Sequence, residues 1–330
     1  MSSPVVSVIM LVYNQENTFA RALESVLSQK CAFSYEILIG DDCSTDKTRE
    51  IIKGYLEKHP NIRYFEREEN LGVTRNAYEL LKAAEGKYIA SCEGDDFWTD
   101  ENKLQKQVDF LEAHPEYVGC SHDLYLVTEN GDVYSKSNPS WISRKRSYSY
   151  KDFKGLYLPG QSGTIVKRNV FKDRDCRILY EASSTIGDRT TVLLCFPYGK
   201  FYRFKDRMSA YTLPFDDKAT TVTFNAFKKN AHANRSEWEY TERLEKFVNE
   251  NFNEKVSFEH YKHGLFFSAL AANILKSDKA DEDLPAEILK NAKFKIVYIF
   301  AIFYWFVLKL FRKCSRRSLK KRYDRVKSKK

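Results

Sequence analysis

Four short apolar runs, separated by amphipathic helical stretches, occupy the first ninety-odd positions and leave few folds open to the chain. Val5–Tyr13 is nearly continuous in β-branched and apolar residues, as a strand covered on both faces must be. It ends at Asn14, and from Thr18 to Lys30 apolar residues recur at Phe19, Ala22, Leu23, Val26 and Leu27, one face of a helix for which Asn17 is the expected cap. Tyr35–Gly40 predicts a second strand that stops at Asp41 and Asp42. Ser44 and Thr45 open a helix whose buried face is Ile51, Ile52, Tyr55 and Leu56. Asn61–Phe65 is a third strand, and beyond Asn70, Leu71 and Gly72 a helix packs through Ala77, Leu80, Leu81 and Ala84. It leads into Tyr88–Cys92, a run too short for a typical helix and bounded in front by Gly86. Such alternation predicts a doubly wound, mainly parallel α/β sheet. Right-handed crossovers order it third, second, first, then the Tyr88 strand.

That order has a geometric consequence. The tips of the first strand (Tyr13, Asn14), the second (Asp41, Asp42) and the fourth (Glu93, Asp95, Asp96) open on one crevice, where ligands bind in such sheets. Glu93, Asp95 and Asp96 place three carboxylates within four residues, and groups so close repel unless one is protonated or a cation lies among them. Mg²⁺ or Mn²⁺ suits this set, since a hard ion takes oxygen ligands and is completed by substrate phosphates. The alternative is a solvated acidic turn capping the next helix, with Asp100 or Asn102 as its cap.

The net charge of +9 does not mark a nucleic-acid binder once it is located. Lys309–Lys330 carries 12 Lys or Arg against Asp324 alone, a net of +11, so everything before it is close to −2. Seven cysteines, odd in number and without a Cys-x-x-Cys pair, suit a reducing compartment and argue against a disulfide scaffold or a zinc ribbon. The N-terminal apolar run lacks the basic flank and cleavage site of a signal peptide.

Further along, Lys103–His114 reads as a helix, and Asn130-Gly131 joins strands Tyr117–Thr128 and Val133–Ser135 as a hairpin. Pro139–Tyr150, with Trp141 and three basic residues, reads as a mobile basic loop. Gly163–Val166, Phe201–Phe204 and Met208–Thr212 are expected strands, a helix starts after Gly187-Asp188, and helices are expected near Trp238–Asn251 and Glu259–Lys276. His260 and His263 have a metal-compatible spacing but no third ligand. Phe294–Phe311 is apolar and aromatic, yet only Ile296–Leu308 is free of charge, short of the roughly 20 residues of a membrane span. Followed by a polybasic tail, it suits a segment lying in the interface of an anionic membrane. A short tilted span, a helix packed on the main domain and a seam between copies of the chain are its alternatives.

Taken as a set, Val6–Met10 through Tyr13-Asn14, Glu36–Ile39 with Asp41-Asp42 and Ser44–Asp46, Asn70, Gly72, Arg75 and Asn76, and Tyr88-Ile89 running into Glu93–Asp96 and Trp98 resemble glycosyltransferase family 2. The resemblance covers roughly the first 125 residues. It implies a GT-A fold and an inverting transfer of a sugar, from UDP in the first instance, to a saccharide or lipid-linked acceptor in cell-surface polysaccharide synthesis. By position, Val12, Tyr13, Asn14 and Asn70 would border the nucleotide, Asp42 would accept from the base, and Arg75 would lie near base or phosphates. Asp95 and Asp96 would hold ribose and metal; Glu93 stands where the family more often has Asp, and a longer side chain suits a water-mediated contact. A single displacement also needs a base for the acceptor hydroxyl. Asp188 matches a Gly-Asp pair in related enzymes, with a helix N-cap as its alternative. His122, Gln161, Ser162 and Tyr211 are candidates for the acceptor side.

On this reading residues 1–222 form the catalytic domain, with 1–125 its nucleotide-sugar half and 126–222 its acceptor half; 223–290 is a helical extension and 291–330 a membrane-associating segment. The enzyme would work in the cytoplasm, peripheral or monotopic on the inner face of the cell membrane. A sugar nucleotidyltransferase would carry a Gly-rich basic loop after the first strand, and Asn14–Thr18 has none. A non-catalytic membrane scaffold would not need the acidic cluster.

Overall fold

The computed structural model describes residues 3–213, 232–252, 257–275, 277, 280–292, 298 and 316–328. They fall into two compact units, residues 1–150 with 157–214 and residues 151–156 with 215–329.

The first unit is built on β1 (Val6–Val12), β2 (Tyr35–Asp41), β3 (Ile62–Glu66) and β4 (Tyr88–Ser91), parallel and in the order β3-β2-β1-β4 that the alternation predicts. Helices α1 (Phe19–Leu27), α2 (Thr48–Leu56) and α3 (Val73–Ala83) make the crossovers. The cap of α1 is Thr18 rather than Asn17, and it makes no side-chain capping bond. Val8, Met10, Ile37, Ile39 and Ala90 are buried with Phe19, Leu23 and Val26 of α1, which is why the strands read as unbroken apolar runs.

Beyond β4 come β5 (Phe97–Trp98), α4 (Lys103–Ala113), β6 (Tyr117–Val127), β7 (Val133–Ser135), β8 (Ser147–Tyr148) and β9 (Val166–Arg168). Then follow α5 (Ile178–Glu181), α6 (Asp188–Cys195) and β10 (Lys200–Thr212). The sheet continues β4-β9-β6-β10-β5. β9 is antiparallel to both its neighbours, so the sheet is mostly, not wholly, parallel. Three expectations need correction. Residues 162–164 form a 3-10 turn, and the strand starts only at Val166. The two short strands expected near 201 and 208 are one strand whose register with β6 shifts between Arg203 and Ser209. The segment read as a mobile loop holds β8 and an Ile142–Leu158 bridge.

At the amino ends of the strands a buried polar network ties β1, β2 and the approach to β4 together. Ser7 Oγ donates to Glu36 Oε1 (2.5 Å), Arg63 Nη1 to Glu36 Oε2 (2.8 Å), and the Glu85 and Gly86 N–H groups to Glu36 and Ser7 Oγ (2.8 Å each). A Cβ on Gly86 would lie 2.5 Å from the Ser7 nitrogen and 2.7 Å from the Val6 carbonyl carbon, main-chain atoms of a central strand that cannot yield. Gly86→Ala should therefore cost about 1–3 kcal/mol of stability; chemical denaturation reads it, and an unchanged midpoint would contradict the close approach.

Burial opposes ionisation of Glu36, but the bonds from Ser7, Arg63 and the Glu85 N–H hold its carboxyl below the usual value. A carboxylate with a lowered folded value stabilises fully above its unfolded value, and that contribution is lost as pH falls through the folded one. Glu36→Gln is expected to destabilise by about 1–3 kcal/mol at pH 7, with the deficit shrinking towards pH 3. Melting temperatures across that range test this, and a deficit independent of pH would count against it.

The second unit packs α7 (Ala233–Asn251), α8 (Glu259–Ile274) and α9 (Leu284–Asn291) around Trp238, Leu265, Phe266, Leu284 and Ile288. Of the apolar segment 294–311 only Tyr298 is among the described residues: it is fully buried in this cluster, and its hydroxyl donates to Glu259 Oε2 (2.6 Å). Residues 316–327 are helical, and among the described residues no helix is long and apolar enough to cross a membrane.

Candidate active site

β4 ends at Ser91 beside β1, and the chain turns back at once. The Asp96 N–H donates to the Glu93 carbonyl (3.0 Å), and Gly94 N donates to the Leu11 carbonyl (3.3 Å), which holds the acidic turn against the tip of β1. Carboxylate oxygens of Glu93, Asp95 and Asp96 lie within 4.8 Å of one another. Residues from far along the chain fix them there. Asp96, 3% exposed, accepts from the Thr212 N–H at Oδ1 (2.8 Å) and from Gln161 Nε2 at Oδ2 (3.1 Å). Thr212 Oγ1 donates to the Asp95 carbonyl (2.6 Å), and Ser162 Oγ donates to Glu93 Oε1. Gln161 is itself set by the 3-10 turn, its Oε1 accepting the Gly163 N–H (2.6 Å), while Trp98 Nε1 donates to the Gly163 carbonyl (3.1 Å).

These three carboxylates have less positive charge beside them than they carry themselves. Burial raises Glu93, Asp95 and Asp96 above the ordinary carboxylate range; the charge of Asp95 adds to the shift at Glu93, and those of Asp95 and Glu93 add to it at Asp96. Three oxygen donors this close, short of positive charge and held by neutral donors, fit a hard divalent cation, whose charge would favour their ionised forms. The nearby cation is Arg21, which sequence reasoning passed over. It stands in the first turn of α1, over the Phe97 ring (4.5 Å) with Nη1 on the Glu129 carbonyl (3.2 Å), and its charge acts on Asp95 and Asp96. Its position on the helix that follows the first strand tip was the signal to notice.

The other strand tips form a second, rigid patch. Val12 pairs with Asp41, and the Val12 carbonyl accepts the Asp42 N–H (2.9 Å). Asn14 takes a left-handed conformation (φ 51°), which Asn tolerates; its N–H donates to Ser44 Oγ (3.0 Å) and its Oδ1 accepts the Thr45 N–H (2.8 Å). Asp42 receives the Leu71 N–H (2.7 Å) on one oxygen and the Gly72 N–H (3.0 Å) on the other, and Asn70 Oδ1 also accepts from Gly72 (3.1 Å). Burial raises the Asp42 carboxyl, with those two N–H groups opposing. Tyr13 is 49% exposed, its ring open to solvent. Arg75 lies on α3, paired with Glu79 (3.4 Å) and over the Tyr180 ring (4.7 Å).

Asp188 opens α6, a separate element, and is exposed; its Oδ1 accepts the Arg189 N–H (2.7 Å), and its charge is near enough to add to the raised value at Glu93. Tyr211 precedes Thr212 and meets Trp141 edge-to-face (6.4 Å). His122, expected on the acceptor side, is instead 1% exposed, with Nδ1 bonded to the Asp123 carbonyl (2.8 Å); burial and the charge of Lys103 push its imidazole well below the usual value. Residues 118–122 of β6 are all buried, both faces of the strand being covered there, and His122 belongs with the buried Lys103, whose ammonium lies 4.1 Å from the Trp98 ring centroid.

The sequence profile of Glycosyl transferase family 2 matches residues 7–174. An uncharacterized protein of Mycobacterium tuberculosis is 42% identical over 137 residues, 41% of this chain and 40% of that protein. EpsE of Bacillus subtilis, which carries a glycosyltransferase name, is 40% identical over 140 residues (42% and 50%), and TuaG of the same organism, named for teichuronic acid biosynthesis, 37% over 154 (45% and 56%). The chain thus spans about half the length of the curated relatives it matches. Among solved structures, S. aureus TarS 1–349 in complex with UDP-GlcNAc superposes with a TM-score of 0.58 at 18% identity, over 90% of this chain and 81% of that one. A mannosyltransferase from Pyrobaculum calidifontis with GDP-Man and Mn²⁺ gives 0.50 at 14%, over 97% and 85%. These two likenesses are of fold, a mostly parallel sheet similar to that of GT-A glycosyltransferases. With more than half its length matched by the profile, in the half that builds the strand tips and the acidic turn, this chain belongs to glycosyl transferase family 2.

Proposed function

We propose that the chain transfers a sugar, with inversion, from a nucleotide-sugar donor to a saccharide or lipid-linked acceptor in the synthesis of a cell-surface polysaccharide. The observation that carries this reading is the acidic turn: three carboxylates at a strand tip, clamped by Gln161, Ser162 and Thr212 into a set that Arg21 alone does not balance in charge. Asp96 and Asp95, with Glu93, would hold Mn²⁺ or Mg²⁺, and such an ion would supply charge to a departing diphosphate without a proton. The solved neighbours bound to UDP-GlcNAc and to GDP-Man with Mn²⁺ support the donor class. Tyr13 offers an open aromatic face to a base, Val12, Asn14 and Asn70 form the rim around it, Asp42 suits the N–H of a uracil, and Arg75 lies on the flank of the same rim. Asp188 takes the acceptor hydroxyl proton, and Gln161, Ser162 and Tyr211 line the acceptor side.

Screening nucleotide sugars for a thermal shift with and without Mn²⁺, then measuring nucleoside diphosphate release, tests this. One donor, a UDP-sugar first among them, should stabilise the chain only with the ion and be turned over slowly. No release from any common nucleotide sugar would favour a binding scaffold instead.

On the same reading the enzyme works at the inner, cytoplasmic face of the membrane, with residues 291–330 as its contact. The helical stretch 316–327 exposes Arg316, Arg317, Lys320, Lys321, Arg322, Arg325 and Lys327 around one carboxylate, Asp324, which suits anionic lipid. Replacing those seven by Gln should release the full chain from phosphatidylserine vesicles in sedimentation; unchanged sedimentation would remove the tail as an anchor.

A further inference from the structure

The acceptor side carries a second feature that the donor chemistry does not use. Three segments, residues 117–127, 133–150 and 200–212, hold eight Lys or Arg against Asp123 and Asp206, a net of +6, whereas the rest of residues 1–308 sums to −8. The fold gathers much of this charge into one strip. Arg203 pairs with Asp123 (2.7 Å) and donates from Nη2 to the Arg144 carbonyl (2.8 Å), while its N–H donates to the Arg146 carbonyl (2.8 Å). Arg207 reaches the same Asp123 (4.0 Å) and donates to the Lys136 carbonyl (3.1 Å from Nη2). Arg203 and Arg207 thus share one carboxylate, which Arg203 already neutralises, and bond the backbone of Lys136, Arg144 and Arg146, whose side chains are exposed, that of Arg146 donating to the Tyr202 hydroxyl (2.6 Å).

The strip also has a direction. Its strand, β10, runs on from Arg207 to Tyr211 and Thr212, and Thr212 is bonded to Asp96. Trp141, from the basic segment itself, meets Tyr211 there. An aromatic pair one strand position from the residue that bonds the acidic turn, continued by a row of cations leading away from it, matches a sugar chain whose end stacks on rings while its charged body follows the basic residues. A lipid surface would engage a broad face and has no need of a row that ends at the catalytic turn.

We propose that the acceptor is an anionic saccharide chain, bearing carboxylate or phosphodiester groups, that lies from the Trp141–Tyr211 pair along Lys136, Arg144, Arg146 and Arg207. This deepens the glycosyltransferase reading and rests on it. Specificity then comes in part from charge, and binding weakens with salt as exposed charge pairs are screened.

The test uses the full chain and three probes of equal length: an oligogalacturonate, a phosphomannan fragment and a neutral maltooligosaccharide. At low salt at least one anionic probe should bind about tenfold or more tightly than the neutral one, and the difference should collapse at about 0.5 M salt. Which anionic probe binds separates carboxylate from phosphate recognition. Lys136→Gln with Arg144→Gln, both side chains being exposed, should weaken that binding about fivefold to tenfold and leave Mn²⁺-dependent donor hydrolysis unchanged. Equal binding of neutral and anionic chains, no effect of the double substitution, or loss of binding to phosphatidylserine vesicles in place of the oligosaccharides would overturn the proposal. Donor hydrolysis reports separately on the underlying reading: if wild-type chain releases no nucleoside diphosphate while the anionic probe binds as described, the transferase reading fails and the strip stands.

Discussion

Asp96→Asn is expected to abolish Mn²⁺-dependent donor binding and to lower transfer by about 10³-fold, close to 4 kcal/mol of transition-state stabilisation. Asparagine is the informative replacement. Its carbonyl oxygen can still accept the Thr212 N–H that Asp96 Oδ1 accepts, so the bond between β10 and the acidic turn survives, and the Gln161 amide that loses its acceptor at Oδ2 keeps Glu93 Oε2 (3.4 Å) and Ser162 Oγ (3.2 Å); alanine would leave the Thr212 N–H unpaired as well. The fold should not suffer. Burial and the charges of Asp95 and Glu93 raise the Asp96 carboxyl, so its ionised form opposes folding without a cation, and removing that charge should leave the melting temperature unchanged or higher. Isothermal titration of a nucleoside diphosphate with and without Mn²⁺, beside a thermal melt, reads both effects. A variant that binds as tightly as wild type would remove Asp96 from the metal site.

Asp188→Asn should behave differently. Donor affinity should stay within about twofold while transfer falls by about 10²–10⁴-fold, the range for a lost general base. The residue is suited to that separation: it is exposed at the first position of α6, on an element distinct from the acidic turn, yet near enough for its charge to act on Glu93. A carboxylate in the first helical turn contributes only about 0.3–1 kcal/mol through the helix dipole, so the substitution should barely move stability. Asparagine retains shape and removes the proton acceptor. Binding titrations against single-turnover transfer distinguish the two contributions, and retained transfer would reduce Asp188 to a helix-end charge.

The parts of this molecule that were readable from sequence are those whose signal is local. The β-branched runs at Val6–Val12 and Tyr35–Asp41, with the amphipathic helices behind them, specify strands, order and direction through patterning alone, and the carboxylates of Glu93, Asp95 and Asp96 announce themselves by proximity. What holds those carboxylates is not local. Gln161 and Thr212 reach Asp96 across 65 and 116 positions, and no periodicity in either segment reports such a contact. Gln161 also sits before a 3-10 turn, which mimics a strand in composition, and β10 carries register shifts that break its alternation into two apparent pieces. His122 misled for the opposite reason. A polar residue inside a strand can look like a site residue, but residues 118–122 of β6 are all buried, and His122 lies among them two positions from Cys120.

The arrangement makes its sharpest commitment at one point in space. A crystal of the full chain soaked with Mn²⁺ and a nucleoside diphosphate, measured at the manganese absorption edge, should show an anomalous peak bounded by the carboxylates of Asp96 and Asp95, with the diphosphate on its open side. A peak elsewhere, or a diphosphate bound against the strand tips with no ion between it and those carboxylates, would contradict the account.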